Sequence, residues 1–186
     1  MKRKIETDLM KWKISKNRKP LIVNGARQVG KTYIIREFGE RFYKNVVYIN
    51  LETNLAVASF FQDNIDPERL LLFLESYAKE AIIPEHSLII FDEIQACERA
   101  LTCLKYFYEE APEYHIIAAG SLLGVAINRE KYSFPVGKVN TLTLYPFDFE
   151  EFLWANREEK LVDIIRECFK SIEVMPEAPH QRAIDL

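Results

Sequence analysis

No apolar run in this 186-residue sequence approaches the length that crosses a bilayer, and none follows Lys2-Arg3-Lys4 that could form the core of a secretion signal. The expectation is a soluble, cytoplasmic protein with no membrane among its partners. Cysteine is scarce. Cys97, Cys103 and Cys168 show no close paired spacing, which argues against a zinc site or a disulfide framework and fits a reducing compartment. His115 and His180 have no partners at metal-ligand spacing and read as structure or solvent. Internal repeats and low-complexity stretches are also missing, so solenoids and linkers are excluded. The 48% hydrophobic content suffices for one domain with a substantial core, and a second full domain does not fit comfortably.

The net charge of −3 is unevenly spread. Residues 1–20 carry a balance of +6 and leave −9 for the remainder. A basic arm of this kind could touch nucleic acid or anionic lipid. The plainer reading is a helix that packs Ile5, Leu9 and either Trp12 or Ile14 inward and shows its lysines to water, because those apolar residues recur at helical intervals. The rest of the chain has no basic excess, so the sequence gives no nucleic-acid footprint strong enough to claim, and none that forbids one. The helix's place before the next strand also makes it a candidate wall for a nucleotide base.

What is present begins with Leu21-Ile22-Val23, a short apolar strand that runs into Gly25-Ala26-Arg27-Gln28-Val29-Gly30-Lys31-Thr32. Strand, glycine-bearing loop and helix in this order are the context a phosphate-binding loop requires. Glycines at its two ends permit backbone angles that a Cβ would forbid, so successive N–H groups can turn inward around a polyphosphate. The following helix adds the positive end of its dipole. Lys31 is placed for the β- and γ-phosphates and the Thr32 hydroxyl for Mg²⁺. At average composition such a pattern arises by chance in roughly one chain of this length in a hundred.

About sixty residues on, Ser87-Leu88-Ile89-Ile90-Phe91 reads as a strand buried on both faces, and it delivers Asp92 and Glu93 at its carboxyl end. Asp92 is then a Mg²⁺ partner and Glu93 the group that orients and activates an attacking water. A further helix–strand alternation follows the chain. Strands are expected at Val46–Asn50, Tyr114–Ala119 and Val139–Leu144. Helices are expected from Lys31, from Asp66-Pro67-Glu68 to about Ala81, from Arg99 to Ala111, from Leu122 to Ile127 and from Phe147 to Ala155. The fold class is therefore α/β, with a mainly parallel five-stranded sheet covered on both sides in three layers. In such sheets ligands sit beyond the carboxyl ends of the strands, where Asn24, Asn50, Glu52, Asp92, Glu93, Gly120 and Ser121 gather.

The segments at 25–32, 89–95 (Ile-Ile-Phe-Asp-Glu-Ile-Gln), 118–123 (Ala-Ala-Gly-Ser-Leu-Leu) and 134–153 together resemble the prokaryotic AAA-type P-loop ATPases. More narrowly they are similar to the archaeal-ATPase-like, STAND-related branch, in which a C-terminal domain of unknown function usually follows. The resemblance implies an ASCE/AAA-type P-loop NTPase with ATP and Mg²⁺ as cofactors. It makes Gly25 through Thr32 the Walker A loop and Asp92-Glu93 the Walker B pair, with Ser121 as the polar sensor of the γ-phosphate. Ser121 is equally suited to cap a helix beginning at Leu122. A homo-oligomer whose neighbour supplies a basic finger fits the same resemblance, with Lys138 or Arg129 as candidates. Lysine at 138 lacks the bidentate fork of arginine. The domain division read here is a basic N-terminal helix at 1–20, the ATPase domain at 21–156, and a helical segment at 157–186 that starts a truncated C-terminal domain.

The expected activity is Mg²⁺-dependent hydrolysis of ATP to ADP and phosphate. The alternative is a nucleotide-gated switch with little intrinsic hydrolysis. A small-molecule phosphotransferase is disfavoured, since a water-activating carboxylate beside the γ-phosphate would waste ATP.

Overall fold

The computed structural model describes residues 2–63, 65–121 and 135–186. The helix expected from Leu122, and Arg129, lie outside the described residues. The chain divides into two compact units, Ile5–Tyr145 and Pro146–Leu186 with the N-terminal residues to Lys4.

The larger unit is built on a sheet of β1 (Leu21–Asn24), β2 (Asn45–Asn50), β3 (Ser87–Asp92), β4 (His115–Ala119) and β5 (Asn140–Thr143). The order is β2-β3-β4-β1-β5 and every pairing is parallel. Parallel neighbours need crossovers. The helix α1 (Ile5–Ile14) precedes β1; α2 (Lys31–Phe42) connects β1 to β2, α3 (Leu55–Asp63) and α4 (Pro67–Ala78) connect β2 to β3, and α5 (Glu98–Glu110) connects β3 to β4.

Strand alternation decides which helix meets which residue. In β3, Ile89 and Phe91 pack with the core that contains residues of α3, α4 and α5. Leu88 and Ile90 pack on the other face with α1 and α2. All six β3 residues are buried, and the strand's middle, residues 88–91, is accordingly an unbroken apolar run. The same period of two carries Asp92 to the α2 side.

In α1, Ile5, Leu9 and Trp12 are buried and Ile14 is exposed, so Trp12 completes the apolar stripe. The Trp12 indole Nε1 donates to the Lys19 carbonyl at 2.7 Å. Asp66 caps α4 by accepting from the Arg69 N–H at 3.1 Å, with Pro67 in the first turn. This helix ends at Ala78, three residues earlier than the pattern suggests, and Lys79 after it adopts left-handed backbone.

His115 is buried at the amino edge of the sheet. Its Nδ1 faces the Tyr43 hydroxyl at 2.6 Å and its Nε2 faces Glu85 Oε2 at 3.1 Å. That arrangement suits a neutral ring that accepts from Tyr43 and donates to Glu85. Burial, aided by the charges of Arg18 and Lys13, lowers its pKa from 6.5 to about 4 despite Glu85. The unfolded chain therefore takes up this proton first. Stability is expected to be unaffected by this group above pH 6.5 and to decline toward about 4, by up to about 1.4 kcal/mol per pH unit. Denaturant melts across that window check the slope, which His115→Gln should flatten.

The smaller unit has three helices, α6 (Phe149–Ala155), α7 (Glu159–Ser171) and α8 (Glu177–Ile184). Asp148 and Glu151 form a capping box at the start of α6, which places the helix start at Phe149 rather than at Phe147. Buried Arg3 pairs with buried Glu151 at 3.2 Å, and Arg166 grips Glu150 through two bonds at 2.7 and 2.9 Å. Leu153, Leu161 and Val162 form its core. Among the described residues, no helix is long and apolar enough to cross a membrane.

Candidate functional site

Because all five strands run the same way, their carboxyl ends share one edge, and the β1–α2 loop lies there. Gly25 has φ +153°, and a Cβ built on it would lie 2.4 Å from the Leu144 carbonyl oxygen. Leu144 holds that place by donating its N–H to the Asn24 carbonyl at 2.8 Å. Gln28 and Gly30 also have positive φ, of 63° and 90°. Repeated excursions of this sign turn successive amides toward one side, as an anion-binding concavity requires. Gly25→Ala is expected to displace the loop from β5, costing roughly 1–3 kcal/mol and lowering the melting temperature by several degrees in calorimetry.

Lys31 opens α2 and is buried. Its Nζ donates to the carbonyls of Gly25 at 3.0 Å and Ala26 at 2.7 Å, so the ammonium sits inside the curve of its own loop. Desolvation lowers its pKa, and the charges of Glu93 and Asp92 oppose that shift. The carboxylates thus help to keep a buried cation charged.

Thr32 and Asp92 are sixty positions apart, and the Thr32 hydroxyl donates to Asp92 Oδ2 at 2.8 Å. Asp92 is buried and takes two further bonds, from the Tyr48 hydroxyl to Oδ2 at 2.8 Å and from the Glu93 N–H to Oδ1 at 3.0 Å. Burial first, and the bond to Asp92 second, raise the Tyr48 pKa and keep the phenol a donor.

Glu93 has left-handed backbone, φ 51° and ψ 46°, and leads into a single 3₁₀ turn at Ile94–Ala96. Such backbone is costly for a non-glycine residue and gathers at functional sites. Buried Ile94 and Cys97 pin the turn, and the Gln95 amide Nε2 donates to Glu93 Oε2. The other end of that amide, Oε1, is buried without a hydrogen-bond partner among the described residues.

Lys31, Thr32 and Glu93 line one cleft of about 630 Å³ together with Ser121 and loop residues Arg27, Gln28 and Gly30. The cleft also takes in Tyr33, Glu52 and Gln95. No α1 residue lines it among the described residues, so the N-terminal helix is not a wall of this cleft. Lys138 lies elsewhere. It precedes β5 at the amino edge, on the far side of the sheet from the loop, and its Nζ pairs with Glu109 at 2.9 Å. Sequence reasoning had no signal for Tyr48 or Gln95 as site residues. Tyr48 is only one residue of the strand expected at Val46–Asn50, and Gln95 only the end of a motif.

The donor set suits a hard cation. A hydroxyl and a carboxylate are the oxygen ligands Mg²⁺ takes, and it normally completes its shell with water and phosphate oxygens. With its hydrogen committed to Asp92, the Thr32 oxygen keeps its lone pairs for such an ion.

The sheet order, the glycine-bearing loop after β1 and the acidic end of β3 define an α/β P-loop NTPase fold. The chain belongs to the AAA domain family, whose model matches residues 17–153, and it is an ATPase-type, nucleotide-binding module of that class. Among solved structures it is similar to Drosophila ORC bound to DNA, at 13% identity and TM-score 0.51, over 86% of this chain and 50% of that one. It is also similar to Cdc6p from Pyrobaculum aerophilum, at 14% identity and TM-score 0.50, over 82% of this chain and 47% of that one. At these identities the likeness is one of fold alone, and the chain spans about half the length of those proteins. No curated protein matches it.

Proposed function

We propose that the chain binds ATP with Mg²⁺ in this cleft and hydrolyses it to ADP and phosphate. The observation that carries the reading is the convergence of Lys31 and Thr32, at the start of α2, with Asp92 and Glu93, at the end of β3, on one sheet edge.

Gly25 to Thr32 would wrap the phosphates with backbone N–H groups and the dipole of α2. The Lys31 ammonium would exchange the carbonyls of Gly25 and Ala26 for β- and γ-phosphate oxygens. Thr32 and Asp92 would hold the metal, which when bound offsets the charge of the phosphate oxygens. Glu93, a carboxylate held at one oxygen by Gln95, would orient a water and take its proton, and Ser121 would contact the γ-phosphate from the end of β4. Catalysis of this kind is positioning plus charge stabilisation.

A homo-oligomer in which a neighbour supplies a basic group remains part of this reading. Phosphate release, followed with ATP and Mg²⁺ at several protein concentrations, tests both points. Turnover abolished by chelator is expected. Equal phosphate release with and without metal would contradict it, and turnover per chain that does not change with concentration would contradict the oligomer.

A further inference from the structure

We propose that Tyr48 is a positioning residue for the metal, acting through Asp92 on Thr32; this rests on the ATPase reading above. The sheet register places it. Tyr48 is paired with Ile90 and Asn50 with Asp92, so Tyr48 and Asp92 stand on the same face of neighbouring strands, two positions apart. A tyrosine spans that offset, and its hydroxyl reaches Asp92 Oδ2 at 2.8 Å.

The same oxygen accepts the Thr32 hydroxyl, also at 2.8 Å, while Oδ1 accepts the Glu93 N–H at 3.0 Å. Three donors from β2, α2 and the β3 end therefore fix the carboxylate plane. Two of them come from groups with assigned work. The third comes from a residue outside the cleft, whose ring lies under the Arg36 guanidinium at 5.0 Å. Removing the Tyr48 hydroxyl would free Asp92 to rotate about its side-chain bonds. Thr32 would then lose the fixed acceptor that turns its hydrogen away from the metal position. Outer partners of metal ligands are worth about 10- to 100-fold in metal affinity.

Tyr48→Phe keeps the ring and its packing, so the unliganded chain should melt within a few degrees of the unmodified one. The test titrates Mn²⁺, read by electron paramagnetic resonance, into each chain with ADP bound, and measures metal-free ADP binding separately by calorimetry. Tyr48→Phe is expected to weaken Mn²⁺ binding about tenfold while leaving metal-free ADP binding within a factor of about two. Unchanged Mn²⁺ affinity would overturn the inference. An equal loss of metal-free ADP binding would also overturn it, since the hydroxyl would then matter for the fold of the site as a whole. If the unmodified chain binds no ADP, the ATPase reading itself fails, which is a different outcome from either.

Discussion

Lys31→Ala is expected to weaken ATP binding and to lower turnover by at least about 100-fold, because one preorganised donor aimed at developing charge is worth about 10²–10³ in kcat. The side chain it removes is already in place: Nζ is buried within the loop and held by two of its carbonyls. A cation so placed gives up little conformational freedom when phosphate oxygens replace those carbonyls. The same geometry predicts little cost in folding. Burial disfavours the ammonium, and the charges of Glu93 and Asp92 offset that only in part. Calorimetric titration with ATP and thermal melting, run on both proteins, separate a binding defect from an unfolded chain. A variant that binds ATP as the unmodified chain does would remove Lys31 from the site.

Glu93→Gln is expected to lower kcat by about 10²–10⁴ while leaving ATP affinity nearly unchanged. The amide keeps the size of the side chain and can still accept a hydrogen bond from Gln95, but it cannot take a proton from water. Asp92, which shares the turn, keeps its bonds from Thr32 and Tyr48, so the metal position is preserved. Single-turnover phosphate release beside equilibrium ATP binding reads the two effects apart. A loss of binding as large as the loss of rate would mean that Glu93 holds the ligand rather than the water.

Much of the fold was legible because β3 declares itself. An unbroken apolar run that ends in two carboxylates fits a central strand in a parallel sheet, and the alternation within it gives Leu88, Ile90 and Asp92 to the α2 side. The helix beginning at the loop's lysine was equally readable. The details that escaped are set by tertiary context. Tyr48 meets Asp92 only because β2 and β3 pair in one register, and that register depends on packing across the sheet. Gln95 reaches Glu93 because left-handed backbone at Glu93 starts a tight turn, which no local pattern announces. The start of α6 was readable from Asp148 and Glu151, whose spacing is a capping signal stronger than the proline before them.

The most direct test of the account is a calorimetric titration of the unmodified chain with ATP, with and without Mg²⁺. One ATP bound per chain, with affinity raised by the metal, is the expected result. No saturable binding at millimolar ATP in either condition would contradict the assignment of the β1–α2 loop as a phosphate site.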